Sequence, residues 1–242
     1  MKGRVALVTG AAVRVGREIA LGLARDGMRV VIHYHTSERE AGELVDEIRA
    51  LGSDAAICRA DLADMRGMDR LVDEAEAAFG GIDVLVNSAS VFPSERLGDV
   101  DAELWDHTMA VNLRAPFFLT QKLGARMRQR GGGVIINMCD LAGMQAWDAY
   151  AAHAISKAGL IHLTKIAARA LAPEVRVNGI APGTVLPPEG TPPEEIEKLA
   201  RRSPLGRIGS PADVVDAIRY LIGAEFVTGE VLVLDGGRTL RS

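Results

Sequence analysis

Apolar residues along this chain gather in short unbroken runs, separated by longer stretches in which they recur at helical spacing. The runs fall at Val5–Val8, Val30–His33, Ala55–Cys58, Val84–Val86, Val134–Asn137, Val175–Ile180 and Val231–Leu234. A run without polar alternation is what a strand covered on both faces requires. The stretches between them, around Arg17–Arg25, Glu38–Leu51, Gly67–Phe79, Leu104–Arg130, Tyr150–Leu171 and Ala212–Gly223, read as helices. Seven strands with helices between them predict an α/β architecture, a parallel, doubly wound sheet with helices on both faces. Ligands of such sheets bind beyond the carboxyl ends of the strands, so the residues closing each run become the candidate site.

The first strand leads through Thr9-Gly10-Ala11-Ala12-Val13-Arg14-Val15-Gly16 into a helix. That order reads as a dinucleotide phosphate cradle. Gly10 permits a tight turn, Gly16 permits close approach of backbone or cofactor, and the helix start offers unpaired N–H groups to a pyrophosphate. Arg14 is unusual there, adding a permanent charge and a fork for phosphate or a flat heterocycle. After the second strand stand Tyr34-His35-Thr36-Ser37, with no acid where a free ribose 2′-hydroxyl calls for one. Hydroxyls and an imidazole suit a 2′-phosphate, with Arg14 or Arg39 for charge, so NADP(H) is expected over NAD(H); the plain alternative is that Thr36 or Ser37 caps the next helix. Asp61, ahead of Leu62, can accept from an adenine amino group or cap a helix. Asn87-Ser88-Ala89-Ser90 let backbone pass near a ribose, and Phe92 offers a stacking wall beside the nicotinamide.

The fifth strand ends Asn137-Met138-Cys139-Asp140, and the helix beyond carries His153 and Lys157 on one face. A carboxyl, an imidazole and an ammonium beside a hydride donor form a proton-delivery set. The plain alternative is an Asp cap with a solvated His and Lys. At 242 residues without a Pro- or Ser-rich linker, one domain over 1–242 is expected. A net charge of −4 without a long basic run argues against nucleic acid and anionic membranes, leaving small cofactors and metabolites as partners. Cys58 and Cys139 are expected as buried free thiols, with no disulfide framework and no metal site. No stretch is apolar for long enough to span a membrane, and Met1 runs into the first strand without a signal pattern, so a cytoplasmic location is expected.

Taken together, Thr9-Gly10…Gly16, Asp61-Leu62, Asn87-Ser88-Ala89-Ser90, Asn112, the spacing from the fifth strand to Lys157, Ala181-Pro182-Gly183 and Leu234-Asp235-Gly236-Gly237 make the chain resemble the short-chain dehydrogenases/reductases over essentially its whole length. Within that Rossmann-type family it is most similar to the pteridine reductases, through Arg14, His33-Tyr34-His35 with Ser37, Ala89-Ser90-Val91-Phe92-Pro93, and Asp140 where most members have Ser. The resemblance implies an NADPH-dependent reductase of dihydropterins. It places Arg14 and Ser37 at the cofactor phosphates, Arg14 also near the pterin, and Phe92 over the pterin against nicotinamide. Lys157 would hold the nicotinamide ribose and assist the proton donor, Asp140 would hydrogen-bond or protonate the pterin, and Asn112 would anchor a relay water. Val15, Gly16, Tyr34, His35, Pro182 and Gly183 complete the expected cofactor contacts.

The departure is His153, where the family motif calls for Tyr. Histidine titrates near ~6.5 where tyrosine titrates near ~10, and its shorter ring calls for a bridging water to reach a substrate nitrogen. Asp140 and His153 together are the expected proton source, because protonating a ring nitrogen demands less of a donor than protonating a carbonyl oxygen. Tyr150, about 4.5 Å away along a helix axis, is a poor substitute.

Residues 183–204, with Pro187, Pro188, Pro192, Pro193 and a short acidic helix at Glu194–Lys198, are expected to form a substrate flap. Leu186, Met144 and Trp147 would line an apolar pocket beneath it. The resemblance further implies a homotetramer built on the two longest helices, with the tail Gly237–Ser242 reaching a neighbouring site. Two other functions compete with pterin reduction: carbonyl or 3-oxoacyl reduction, and NADP(H) binding without catalysis.

Overall fold

A computed structural model describes residues 1–240. Seven parallel strands form one sheet in the order β3-β2-β1-β4-β5-β6-β7. They are β1 Val5–Val8, β2 Arg29–Tyr34, β3 Ala55–Arg59, β4 Val84–Asn87, β5 Gly133–Met138, β6 Val175–Pro182 and β7 Val231–Leu234. The helices are α1 Arg14–Arg25, α2 Glu38–Ala50, α3 Met68–Phe79, α4 Ala102–Met109, α5 Ala115–Gln129, α6 Ala151–Leu171, α7 Pro193–Arg201 and α8 Pro211–Gly223.

The period-2 geometry of a strand sends successive side chains to opposite faces, and the two cores follow it. Ala6 and Val8 of β1 join Ile19 and Leu23 of α1, Leu44 and Ile48 of α2, and Ile218 of α8 on one face. Val5 and Leu7 join Leu71 of α3, and Leu119 and Leu123 of α5, on the other. Every residue of β1 and β4 is buried, which is why those runs carry no polar alternation. Each fully buried Leu or Ile contributes about 1.5–3 kcal/mol relative to exposure.

Strand order reverses between β1 and β4, since the chain winds outward through β2 and β3 before β4 returns to pair with β1. A crevice opens at that point beyond the strand ends. The Thr9 hydroxyl spans it, accepting the N–H groups of Ser88 at 2.9 Å and Ala89 at 3.0 Å.

The stretch Leu104–Arg130, expected as one helix, is two helices joined by a π-turn at Ala110–Arg114. Pro116 removes the N–H that would pair with the Asn112 carbonyl in a regular helix, and Ala115 donates instead to Ala110. The π-turn carries Asn112 into the interior, fully buried. Tyr150 also differs from expectation: it ends a 3₁₀ turn, Asp148–Tyr150, and α6 begins one residue later. The flap helix α7 runs to Arg201, beyond the acidic segment that marks it in the sequence. Cys58 and Cys139 are buried free thiols. Among the described residues, no helix is long and apolar enough to cross a membrane, and no group of His, Cys, Asp and Glu could hold a metal ion. Of the tail, Arg241 and Ser242 lie outside the described residues.

The turn that follows Asp140 rests directly on α6: a Cβ on Gly143 would lie 2.7 Å from the Lys157 carbonyl carbon and 2.8 Å from the Ala158 nitrogen. Gly143→Ala is therefore expected to lower unfolding free energy by about 1–3 kcal/mol, as overpacking does. Urea denaturation is the check; an unchanged midpoint would contradict this packing.

Candidate active site

The first half of the site is built around Gly10. Its backbone is left-handed, at φ +64°, and a Cβ there would lie 3.0 Å from Ala89 Cα. A Cβ on Gly16 would lie only 2.3 Å from the Gly10 carbonyl oxygen, so both glycines are required by contact with backbone. Arg14, at φ +54°, is the one described non-glycine residue with a positive φ. Helix α1 starts at this residue with no side-chain cap and no acid in its first turn. Its leading N–H groups and positive dipole end therefore face an open cleft, an arrangement that fits a pyrophosphate.

That cleft, of about 460 Å³, is lined by Gly10, Arg14, Val15 and Gly16, by Tyr34 to Ser37, by Asp61 and Leu62, and by Ser88 to Ser90. Ser37 occupies the N-cap position of α2 yet makes no capping bond, which leaves its hydroxyl available to a ligand. Asp61 divides its carboxylate, accepting the Ala63 N–H at 2.8 Å and standing 3.9 Å from His35 Nε2. Arg39 is engaged by Glu40 and Glu43, so Arg14 is the better placed of the two candidate charges. Asn87 turns away from the cleft: its side chain is buried and donates to Asn137 Oδ1 at 2.8 Å.

His33 carries a role that the sequence reading did not give it. The ring is buried, Nδ1 accepts the Gly10 N–H at 3.1 Å, and Nε2 lies 3.1 Å from the Ala60 carbonyl oxygen. A carbonyl only accepts, so Nε2 carries the proton and Nδ1 the lone pair. Burial drives this imidazole down to about 4, against the opposing help of the Ala60 carbonyl.

The second half lies past β5. Asp140 caps a short turn, its Oδ1 accepting the Ala142 N–H at 2.7 Å, and directs Oδ2 to within 3.5 Å of His153 Nε2. At that length the contact is electrostatic and too long for a good hydrogen bond. His153 Nδ1 lies 3.1 Å from the Val91 carbonyl oxygen and so donates to it. Nε2 is left buried with no hydrogen-bond partner. Asn112 holds the same loop from two sides, accepting the Val91 N–H at 2.8 Å and donating to the Val91 carbonyl at 2.9 Å and to Ser156 Oγ at 3.1 Å. Lys157 Nζ donates to the Met138 carbonyl at 2.8 Å; burial pushes its ammonium down, while Cys139 and Asp140 nearby pull the other way. Burial also raises the Cys139 thiol to about 11, which makes it a poor nucleophile at neutral pH.

A cavity of about 780 Å³ opens beside Asp140, lined also by Phe92, Trp147, Tyr150, Leu186, Pro182 and Gly183. Pro182 and Gly183, expected at the cofactor, thus border this second cavity. Met144, expected with Trp147 and Leu186, is exposed and off its lining. Phe92 does not stand alone: it stacks on Tyr150 with centroids 4.5 Å apart and meets the His153 ring edge-on at 4.4 Å. Tyr150 is therefore part of the aromatic wall, a placement that the 3₁₀ turn makes possible. Arg14 joins the two cavities, donating to the Leu186 carbonyl at 2.8 Å.

Comparison with known proteins places these features in a family. A family profile described as "Enoyl-(Acyl carrier protein) reductase" matches residues 10–239. A 3-oxoacyl-[acyl-carrier-protein] reductase, FabG, of Staphylococcus aureus is 34% identical over 237 residues, covering 96% of each chain. L-rhamnose 1-dehydrogenase (NAD(P)(+)) of Azotobacter vinelandii is 37% identical over 245 residues, 97% of this chain and 96% of that one. Among solved structures, FolM Alternative dihydrofolate reductase 1 from Brucella canis, complexed with NADP, superposes with a TM-score of 0.92 at 34% identity, covering 99% of this chain and 95% of the other.

The His33 clamp has a stability signature. Between about 4 and the unfolded value near 6.5, the unfolded chain binds a proton that the folded chain refuses, so its contribution is complete above that window and is lost as pH falls through it. The loss is on the order of 3 kcal/mol. Denaturation of wild type and His33→Gln at a series of pH values should give a shallower slope for the variant. Parallel slopes would contradict the neutral clamp.

Proposed function

The chain belongs to the short-chain dehydrogenase/reductase family, and we propose that among these NAD(P)-dependent oxidoreductases it is an NADPH-dependent reductase of dihydropterins or closely related pteridine and folate rings. The observation that carries this reading is the Asp140–His153 pair, 3.5 Å apart and set against the Phe92–Tyr150 stack on the wall of the second cavity. A flat ring gains from lying on an aromatic face. A carboxyl group at its edge accepts from amidine-type N–H groups when ionised and donates to a ring nitrogen when protonated. NADPH is preferred over NADH because Tyr34 to Ser37 contain no carboxylate for a ribose 2′-hydroxyl, while Thr36, Ser37, His35 and Arg14 border the same cleft.

Bound in that cleft, the cofactor would supply the hydride. The protein's own part is the proton. Asp140 lines the cavity and His153 does not, so Asp140 is the group that reaches the substrate and His153 stands behind it. On this reading a proton leaving Asp140 for the ring nitrogen leaves a carboxylate, which is reprotonated from Nε2 of a His153 imidazolium; the ring then returns to the neutral form whose Nδ1–H the Val91 carbonyl holds. Asn112 contributes by fastening Val91, and hence Phe92, to α6. Lys157 would orient the nicotinamide ribose from its buried position on the Met138 carbonyl. The tetramer expected from the family would use α5 and α6, whose outer faces expose Phe117, Ile155 and Ile166.

A second reading, reduction of 3-oxoacyl thioesters, is favoured by the identity to the Staphylococcus aureus enzyme of that name. One assay separates the two: NADPH oxidation with dihydrobiopterin, dihydromonapterin, dihydrofolate, an acetoacetyl thioester and a diketone in parallel. Turnover of the pteridines is expected, with kcat/KM reduced on the order of 100-fold or more in Asp140→Ala and His153→Ala, the range of a lost acid–base group. NADPH binding measured by fluorescence distinguishes lost chemistry from lost folding. Undiminished rates in both alanine variants would remove the proton assignment, turnover of the thioester alone would select the second reading, and NADPH binding without any turnover would mark a retired enzyme.

A further inference from the structure

Two guanidinium groups border the second cavity and remain without an assignment: Arg202, at the end of α7, and Arg238, on the segment after β7. Neither forms an ion pair or a hydrogen bond with a described residue. This sets them apart from Arg207 and Arg219 nearby in sequence, which are paired with Asp213 and Asp26. Arg238 is nonetheless held in place. Its guanidinium carbon lies 5.2 Å from the centroid of the Trp147 ring, and Trp147 in turn meets Tyr150 edge-on at 6.1 Å. Tyr150 stacks on Phe92, and Phe92 abuts His153. The cavity wall thus runs from the Asp140–His153 pair across three aromatic rings to a cation, with the second cation arriving from the flap. Asp148 also lines the cavity but pairs with neither arginine.

We propose that Arg202 and Arg238 form a binding subsite for a carboxylate carried on the far end of the substrate, so that the preferred substrate is a dihydropteridine with an acidic side arm and not one with a neutral side chain. The proposal deepens the pteridine reading and rests on it. Its physical basis is separation of charge. The ring end of the substrate meets a carboxyl group, where an anion is repelled. The side arm crosses apolar aromatic surface and ends where two guanidiniums, unpaired among the described residues, donate to a carboxylate through their forked N–H groups. Because Arg238 is already oriented on Trp147, less side-chain freedom is lost when the anion binds. Arg14 does not compete for this task, since it faces the cofactor cleft and donates to the Leu186 carbonyl.

The test compares kcat/KM for dihydrofolate, which carries the acidic arm, with that for dihydrobiopterin, which does not, in wild type, Arg202→Gln, Arg238→Gln and the double variant. Wild type should favour dihydrofolate by about tenfold or more, chiefly through KM, as expected for a charge-assisted contact. Each substitution should lower that ratio several-fold, and the double variant should bring it near one. Raising ionic strength should narrow the wild-type preference, because exposed charge pairs are screened. If both compounds are reduced with equal KM, or the preference survives in the double variant, the subsite is refuted while pteridine reduction stands. If wild type reduces neither compound, the pteridine reading fails and the subsite falls with it.

Discussion

The position of one peptide unit, at Gly10, is the constraint from which the rest of the site takes its place. Its N–H is held by a buried imidazole from β2, its carbonyl leaves no room for a side chain at the start of α1, and its α-carbon closes against the end of β4. Three elements, β2, α1 and the end of β4, therefore agree on the location of one turn. A left-handed backbone is available to glycine at little cost, so the turn is not strained. The clamp works only with His33 neutral, because an imidazolium has no lone pair to offer an N–H. A buried ring that resists protonation is thus a structural requirement here, and the same burial that depresses its pKa protects the turn at ordinary pH.

The second cavity depends on a different device, the π-turn before α5. Inserting an extra residue into the helical repeat rotates Asn112 inward, where its amide grips both backbone groups of Val91. Val91 then fixes His153 through its carbonyl and carries Phe92 onto the ring of Tyr150. One irregular turn therefore sets the aromatic wall, the tautomer of the imidazole and the direction of its unpartnered nitrogen. Buried polar atoms without partners are uncommon in folded proteins. Nε2 of His153 points at a carboxylate slightly beyond hydrogen-bond length, a geometry that a shared proton would tighten.

The strands and the glycine turn after β1 were legible in the sequence because each rests on a local signal. Both-face burial leaves apolar runs, and turns or close approaches demand glycine. The pairing of Asp140 with His153 was legible too, since strand-end position and helical spacing together fix where two side chains meet. Other features rest on tertiary contacts that no short window encodes. His33 alternates along its strand like any inward residue, and only the fold shows that both of its ring nitrogens meet backbone. The π-turn was hidden inside an apparently continuous helical pattern; Pro116 was the available signal, pointing to a lost N–H in the interior of a predicted helix. Tyr150 was dismissed on the assumption that it lay on α6, and the 3₁₀ turn places it beside Phe92 instead.

Equal identity to an oxoacyl reductase and to a dihydrofolate reductase, 34% in each case, is what a divided site produces. The Gly10 turn, the start of α1 and the crevice between β1 and β4 would serve any dinucleotide, and the sheet and helices that carry them account for most of the chain. Overall identity therefore reports the cofactor half and says little about what meets the hydride. On the proposed reading, discrimination would reside in a few side chains of the other half: Asp140, His153, Phe92, Tyr150 and the two arginines that line the second cavity. A carbonyl oxygen developing negative charge is poorly matched to a neighbouring carboxylate, which repels it unless protonated. A ring nitrogen that becomes N–H is well matched, because the same carboxyl group can donate its proton and then accept from the new N–H. On the proposed reading, the chemistry at one strand end would thus separate relatives that the fold as a whole cannot.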